Sequence, residues 1–269
     1  IATPTSHLFK SEDAAASIAK KSDCLELREF MIGSFIDLAK LAHLDEIDVI
    51  RPWDTQRKNF IQKVIENYKN LELVTFHMSC NCTSPKIKEG IFVSGGEIMT
   101  KEAMLKNAAV NIDWLKKILP NNIQIAVENN NYYPTSAYED VTEPAFISEV
   151  VNSNDIHFLF DISHALVTCY NKKIQYDKYL DELPLSKLIQ IHICSPGIRE
   201  NGLAYDLHLI PSEDHLRHAL SVGNSYGAMY LTLEFYKNKT KLLNFLDYMK
   251  NEMQSQNFNE EKYKTYIQI

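Results

Sequence analysis

Apolar residues along the chain gather in short runs, separated by longer stretches in which they recur three and four apart. The runs are Ile1–His7, Cys24–Phe30, Ile47–Trp53, Glu72–Ser79, Ile123–Asn129, Ile156–His164, Leu188–Cys194 and Met229–Phe235. Several are nearly continuous, as in Ile123–Val127 and His157–Phe160. That pattern predicts parallel strands buried on both faces, since a half-exposed strand alternates. The stretches between them predict helices over Glu12–Lys20 (behind Ser11 as N-cap), Ser34–Leu44, Thr55–Asn70, Thr100–Leu119 and Lys239–Met253. Two shorter helices are expected at Pro144–Val151 and Asp177–Leu183, the second stopped by Pro184. Strands alternating with helices eight times over point to an α/β fold, a (β/α)8 barrel. A doubly wound open sheet is the runner-up. Neither GxGxxG nor GxxxxGK[ST] occurs, and the 8 glycines are few, which weakens any nucleotide-fold reading.

Length fits that reading. The chain has 269 residues, and no linker or low-complexity run divides it. Residues 1–253 are expected to form one barrel, with 254–269 a C-terminal tail that packs through its last residues or hangs free. No run is long enough to span a bilayer. The net charge of −7 lacks the electrostatic footprint of a nucleic-acid binder. The 5 cysteines (Cys24, Cys80, Cys82, Cys169, Cys194) are odd in number and irregular in spacing. They form no disulfide framework and suit a reducing, cytoplasmic setting.

The chemistry gathers where strands end. His77 closes the fourth run, Glu128 the fifth, Asp161 and His164 the sixth and Glu234 the eighth. His192 lies near the end of the seventh, and Asp206 and His208 follow in the next loop. In a barrel these ends converge on one mouth. Each has a plain alternative, a hydrogen-bonded core histidine or a loop-capping carboxylate. Yet Glu128 and Glu234 follow apolar runs, where a carboxylate is costly unless paired or metal-bound. Eight such residues at successive strand ends favour a mixed carboxylate–imidazole metal site. It suits iron, zinc or manganese and is too rich in ligands for one ion. Of the other histidines, His7 ends the first strand and belongs at the mouth. His43 reads as a helix surface residue, and His157 sits at the wrong end of its strand. His215 and His218 read as solvated on one helix face. Cys80, Cys82 and Cys194 fall near the mouth and read as buried, inert thiols.

The order His, Glu, Asp-x-x-His, His, Asp-x-His, Glu on successive strands resembles the xylose-isomerase-like barrels, and more distantly endonuclease IV. Asp161-Ile162-Ser163-His164, His192 and Asp206-Leu207-His208 are its most specific part. Glu128-Asn129-Asn130-Asn131-Tyr132-Tyr133 with Thr142-Glu143-Pro144-Ala145-Phe146-Ile147 is similar to the multinuclear non-heme iron-dependent oxidative enzymes, of the methanobactin-biosynthesis oxidase type. So is Tyr179–Leu185 leading into Gln190–Ile193. The resemblance implies two or three irons in the mouth that activate dioxygen and modify a cysteine of a ribosomally made peptide or a related thiol. A partner protein usually holds the peptide. It implies that Glu128, Asp161, His192 and Glu234 form a catalytic metal position. Glu128 bridges to a second, shared with His77, and His164, Asp206 and His208 form a third. His7, Asn129 and Arg51 are expected as substrate contacts or supports. Two departures stand out. The family often has Asn at the position of His164. Arg51-Pro52-Trp53 stands where related barrels place a metal-binding His, so the His77 position is short of a ligand that His7, Asp54 or a cysteine would replace.

Other readings compete. An endonuclease IV-like phosphodiesterase fits the ligand pattern, but the acidic charge and sparse arginines oppose it. A sugar isomerase or epimerase would need one divalent metal. A non-enzymatic scaffold would not keep so complete a ligand set.

Overall fold

The computed structural model describes residues 1–29 and 36–255. Its centre is a closed barrel of eight strands: β1 (Ala2–Pro4), β2 (Cys24–Arg28), β3 (Ala39–Asp48), β4 (Leu73–His77), β7 (Gln124–Glu128), β8 (His157–Asp161), β9 (Leu188–Ile193) and β12 (Tyr230–Leu233). Every neighbouring pair is parallel. Around it lie α1 (Glu12–Lys21), α2 (Thr55–Asn67), α3 (Lys101–Ile118), α4 (Pro144–Ser153), α5 (Ile162–Lys172), α6 (Tyr176–Glu182), α7 (Glu213–Tyr226) and α8 (Lys239–Gln254). Side-chain caps start several of them, as the Ser11, Asp54 and Thr100 oxygens accept from the backbone N–H three residues on. Two antiparallel hairpins stand on the mouth, β5 (Lys86–Lys88) with β6 (Ile91–Val93), and β10 (Ser195–Ile198) with β11 (Ala204–Leu209). No helix among the described residues is long and apolar enough to cross a membrane. The tail expected at 254–269 lies outside the described residues beyond Ser255.

The third unit departs from the sequence reading. The helix expected over Ser34–Leu44 is a short 3-10 turn at Ile36–Leu38 followed by β3, and the strand expected at Ile47–Trp53 is the end of β3 and a turn. A short apolar run such as Ala39–Leu44 fits either period, and the tertiary setting decides. Here β2 and β4 need a strand between them, and Leu41, Ala42 and His43 pair with Leu73, Val74 and Thr75. The register slips between Leu44 and Asp48, after which the chain turns. Asp48 fastens that turn, with Oδ1 accepting from Ile50 N and its carbonyl from Trp53 Nε1.

The two-residue period of the strands then builds the site. A floor of Ala2, Cys24, Leu41, Leu73, Ala126, Leu159 and Ile189 packs inside the barrel. Two residues further along the same strands stand Glu26, His43, Thr75, Glu128 and Asp161, all buried. Another two residues on, Arg28, Asp45, His77 and Asn130 line an open cavity of about 760 Å³. An apolar floor, a polar middle and a cavity rim are thus one pattern read upwards.

Candidate metal centre

The eight residues expected as ligands converge at the mouth, and three more join them. His43 is the first. It lies on β3, is 1% exposed, and its Nε2 is 3.1 Å from His77 Nε2 and 3.4 Å from Glu128 Oε2. His77 Nε2 also meets Glu128 Oε2. This corrects the reading of His43 as a helix surface residue, and with it the missing histidine of the third strand. Thr75 Oγ1 lies 2.7 Å from His43 Nδ1 and orients the ring so that Nε2 faces His77 and Glu128. Burial, with Arg28 nearby, lowers the His43 pKa to about 3, so the ring is a neutral ligand at ordinary pH.

Glu26 is the second. Its Oε2 lies 2.9 Å from His192 Nε2 and also accepts from Gln190 Nε2. Burial pushes this carboxyl up, but His192 and Arg28 outweigh it and hold it at about 2. With Nε2–H donated to Glu26, His192 turns Nδ1 towards Glu128 Oε1 (3.0 Å), Glu234 Oε1 (3.4 Å) and Asp161 Oδ2 (4.0 Å). Arg28 lies between Glu26 and Glu234 and touches both carboxylates. Glu26 carried its own signal, a carboxylate inside the apolar run Leu25-Glu26-Leu27.

The remaining ligands come from β8 and the second hairpin. β8 runs straight into α5, so Asp161 is the helix N-cap and its Oδ1 accepts from His164 N at 2.7 Å. That cap brings both side chains into one cluster with Glu128. His164 Nδ1 lies 2.8 Å from the Asn129 carbonyl and donates to it, leaving Nε2 3.5 Å from Asp206 Oδ2. His208 Nε2 is 3.0 Å from the same oxygen. His208 has φ +43°, a left-handed backbone that costs about 1–3 kcal/mol and turns a β11 side chain into the mouth. Cys194 is the third addition, grouped with Asp206 and His208.

The supporting residues fall in different places. Asn129 does not face the cavity; its amide clamps Asp161, accepting from Asp161 N at 2.8 Å and donating to Asp161 O at 2.9 Å. Arg51 lines the cavity, 3.2 Å from Asp48 Oδ2, with Nη2 against Cys80 Sγ. β1 stops at Pro4, so His7 opens a short 3-10 turn instead of ending the strand, and it reaches the cavity beside Tyr236. His215 and His218 are buried, not solvated, because the inner face of α7 turns them inward. Ser195 Oγ lies 2.8 Å from His215 Nδ1, and Tyr176 Oη 2.9 Å from His218 Nε2.

The donor set fits cations. Glu128 Oε2, Asp161 Oδ2 and His192 Nδ1 are buried and have no partner with hydrogen-bond geometry. Buried polar atoms are seldom left so, and here three belong to adjoining donor groups. Burial pushes Asp161 well above the carboxylate range despite His164. Burial acts the same way on Glu128 and Glu234, but His77 and His43 hold the first well below that range, and His192 and Arg28 the second. His192 is raised well above the imidazole range, where Glu26 and Glu234 outweigh burial. The clustered carboxylates thus favour positive charge in this pocket. Glu128 belongs to two of the four donor groups, so it can bridge neighbouring ions.

The chain as a whole resembles known proteins in sequence and in fold. The sequence model of a family described as "RiPP precursor modification enzyme MbnB/TglH/ChrH" matches residues 49–233, more than half of the chain. A UPF0276 protein of Caulobacter sp. (strain K31) is 30% identical over 111 residues, 40% of each chain. A UPF0276 protein of Acaryochloris marina is 27% identical over 110 residues, 41% of this chain and 39% of that one. The alignments thus span about two-fifths of these curated relatives. Among solved structures, a D-tagatose 3-epimerase-like protein superposes with a TM-score of 0.56 at 15% identity, over 94% of this chain and 98% of that one, which shows a shared barrel fold.

Proposed function

Because the chain belongs to the MbnB/TglH/ChrH family of RiPP precursor modification enzymes, we propose that it is a multinuclear iron enzyme that uses dioxygen to modify a cysteine thiol of a ribosomally made peptide. The observation that carries this reading is Glu128. It stands between the His43–His77 pair and the His192–Asp161–Glu234 group, with Oε2 buried and without a hydrogen-bond partner. A carboxylate so placed suits two ions, with His164, Asp206 and His208 for a third. Iron held there supplies electrons to dioxygen and a binding place for a thiolate. Zinc or manganese would suit the same donors without that redox chemistry.

The chain's own residues prepare the site. Glu26 and the Asn129 carbonyl fix the tautomers of His192 and His164, and Thr75 holds the His43 ring through Nδ1. Tyr236 Oη lies 3.2 Å from His208 Nδ1 and steadies that ring. The cavity of about 760 Å³ above the centre is of the size that encloses a small ligand or a short peptide segment. A peptide-holding partner protein and a cytoplasmic setting accompany this reading.

Anaerobic purification, elemental analysis and oxygen uptake with a cysteine-bearing peptide test it. Two or three irons per chain and thiol-dependent oxygen uptake are expected. Zinc alone, with no uptake after iron reconstitution, overturns it. A single ion per chain would favour an isomerase instead.

A further inference from the structure

The geometry points to Cys194 as a sulfur ligand of the third metal position, beside His164, Asp206 and His208. This rests on the multinuclear reading above and goes beyond it, since a fourth protein donor decides which metal that position takes.

The inner face of β9 carries Gln190 and His192, which touch each other at 3.0 Å inside the barrel. Cys194 is the next residue in that two-residue series, one layer nearer the mouth. Its side chain is 0% exposed. Its Sγ lies 3.2 Å from Asp206 Oδ1, and sulfur, Asp206 and His208 offer donor atoms that all lie within 4.8 Å of one another. That clustering suits one ion. A buried thiol elsewhere packs against carbon, as a small hydrophobe. This one faces carboxylates.

The donor group of Glu128, Asp161 and His164 adjoins this one, with His164 Nε2 3.5 Å from Asp206 Oδ2. Asp161 Oδ2 is buried without a hydrogen-bond partner, and Asp161 shares a donor group with His164. Asp206 is already oriented without Cys194. Ser163 Oγ donates to its Oδ1 at 2.8 Å, which turns Oδ2 towards His164 Nε2 and His208 Nε2. The thiol is therefore not needed as an anchor for that carboxylate. Two imidazoles and a carboxylate give three donors, and sulfur completes four. On loading, the S–H bond breaks, its proton leaves through Asp206 Oδ1 to solvent, and the sulfur lone pair forms the bond to the ion. No oxidation state changes. Sulfur in the set biases the position towards iron or zinc and away from magnesium or manganese.

Cobalt(II) is the probe, added anaerobically to the metal-free full chain. Expected is a near-ultraviolet thiolate-to-cobalt charge-transfer band that survives Cys80→Ser with Cys82→Ser and vanishes in Cys194→Ser, while at least one cobalt per chain remains bound. A band that persists in Cys194→Ser overturns the assignment, as does bound cobalt without any band in the wild type. If no cobalt binds at all, the multinuclear reading fails and takes this one with it. Should Cys194→Ser fail to fold, X-ray absorption of the zinc-loaded wild type decides, with a sulfur neighbour expected at about 2.3 Å and an all-nitrogen-and-oxygen shell overturning the proposal.

Discussion

Single residues set the ligand atoms of this centre. Glu26 is the clearest, because its contact with His192 Nε2 leaves Nδ1 for the ion. Glu26→Ala should therefore weaken metal retention on the order of 10–100-fold, read by competition with a coloured chelator. Glu26→Gln, which keeps an acceptor oxygen, should fall in between. An unchanged affinity in Glu26→Ala would remove Glu26 from this role. His43 makes a second case. Its Nε2 completes the pair with His77, so His43→Ala should lose one ion per chain by elemental analysis and keep the others. The eight residues that the structure brings together at the mouth were singled out in the sequence, most of them because a carboxylate or imidazole closing an apolar run has few other reasons to be there. Glu26 was legible by the same reasoning, sitting between Leu25 and Leu27 inside a run instead of at its end. Cys194 was not, since a cysteine at a strand end is as apolar as it is metal-binding.

At the scale of elements, one misplaced strand hid one ligand. Ala39–Leu44 satisfies a helical period as well as a strand, and only pairing with β2 and β4 resolves it. The displaced register put His43 outside the barrel and left the His77 position short of a ligand. The inner face of α7 was misread for a related reason: His215 and His218 are polar by type and buried by place. That burial has a consequence. It lowers His218 to about 4, with His215 adding to the effect, so the folded protein resists a proton that the unfolded chain accepts near 6.5. The stabilisation is complete above about pH 6.5 and is lost as pH falls towards 4, by at most about 3 kcal/mol. His218→Gln cannot titrate and still accepts from Tyr176. Urea unfolding at pH 7.5 and pH 5 should show a smaller pH-dependent loss in the variant than in the wild type. Equal losses would mean that His218 does not carry the effect.

The whole molecule encloses a cluster of acids at the end of a barrel, and its charge must be met by protons or by cations. In the metal-free chain protons meet it. Burial alone would lower His208, yet Asp206 and Glu234 raise it to about 9, and His164 and His192 are raised well above their ordinary value by neighbouring carboxylates. A histidine raised from about 6.5 to about 9 stabilises the fold fully below pH 6.5 and loses that contribution as pH rises through 9. The metal-free protein should therefore weaken between pH 7 and pH 10. The loaded protein, whose imidazoles hold no such protons, should weaken less. Loading must also release protons, because a metal binds the neutral ring. Adding iron(II) or zinc(II) to the metal-free protein in weak buffer at pH 7 should acidify the solution, and apparent affinity should climb with pH as His208 loses its proton around 9. At 100 times its dissociation constant a bound ion adds about 2.7 kcal/mol, visible as a raised Tm that chelator reverses. Melting curves of loaded and metal-free protein from pH 6 to pH 10 test both statements. Curves that stay parallel across that range would show that cations and protons do not compete for these carboxylates.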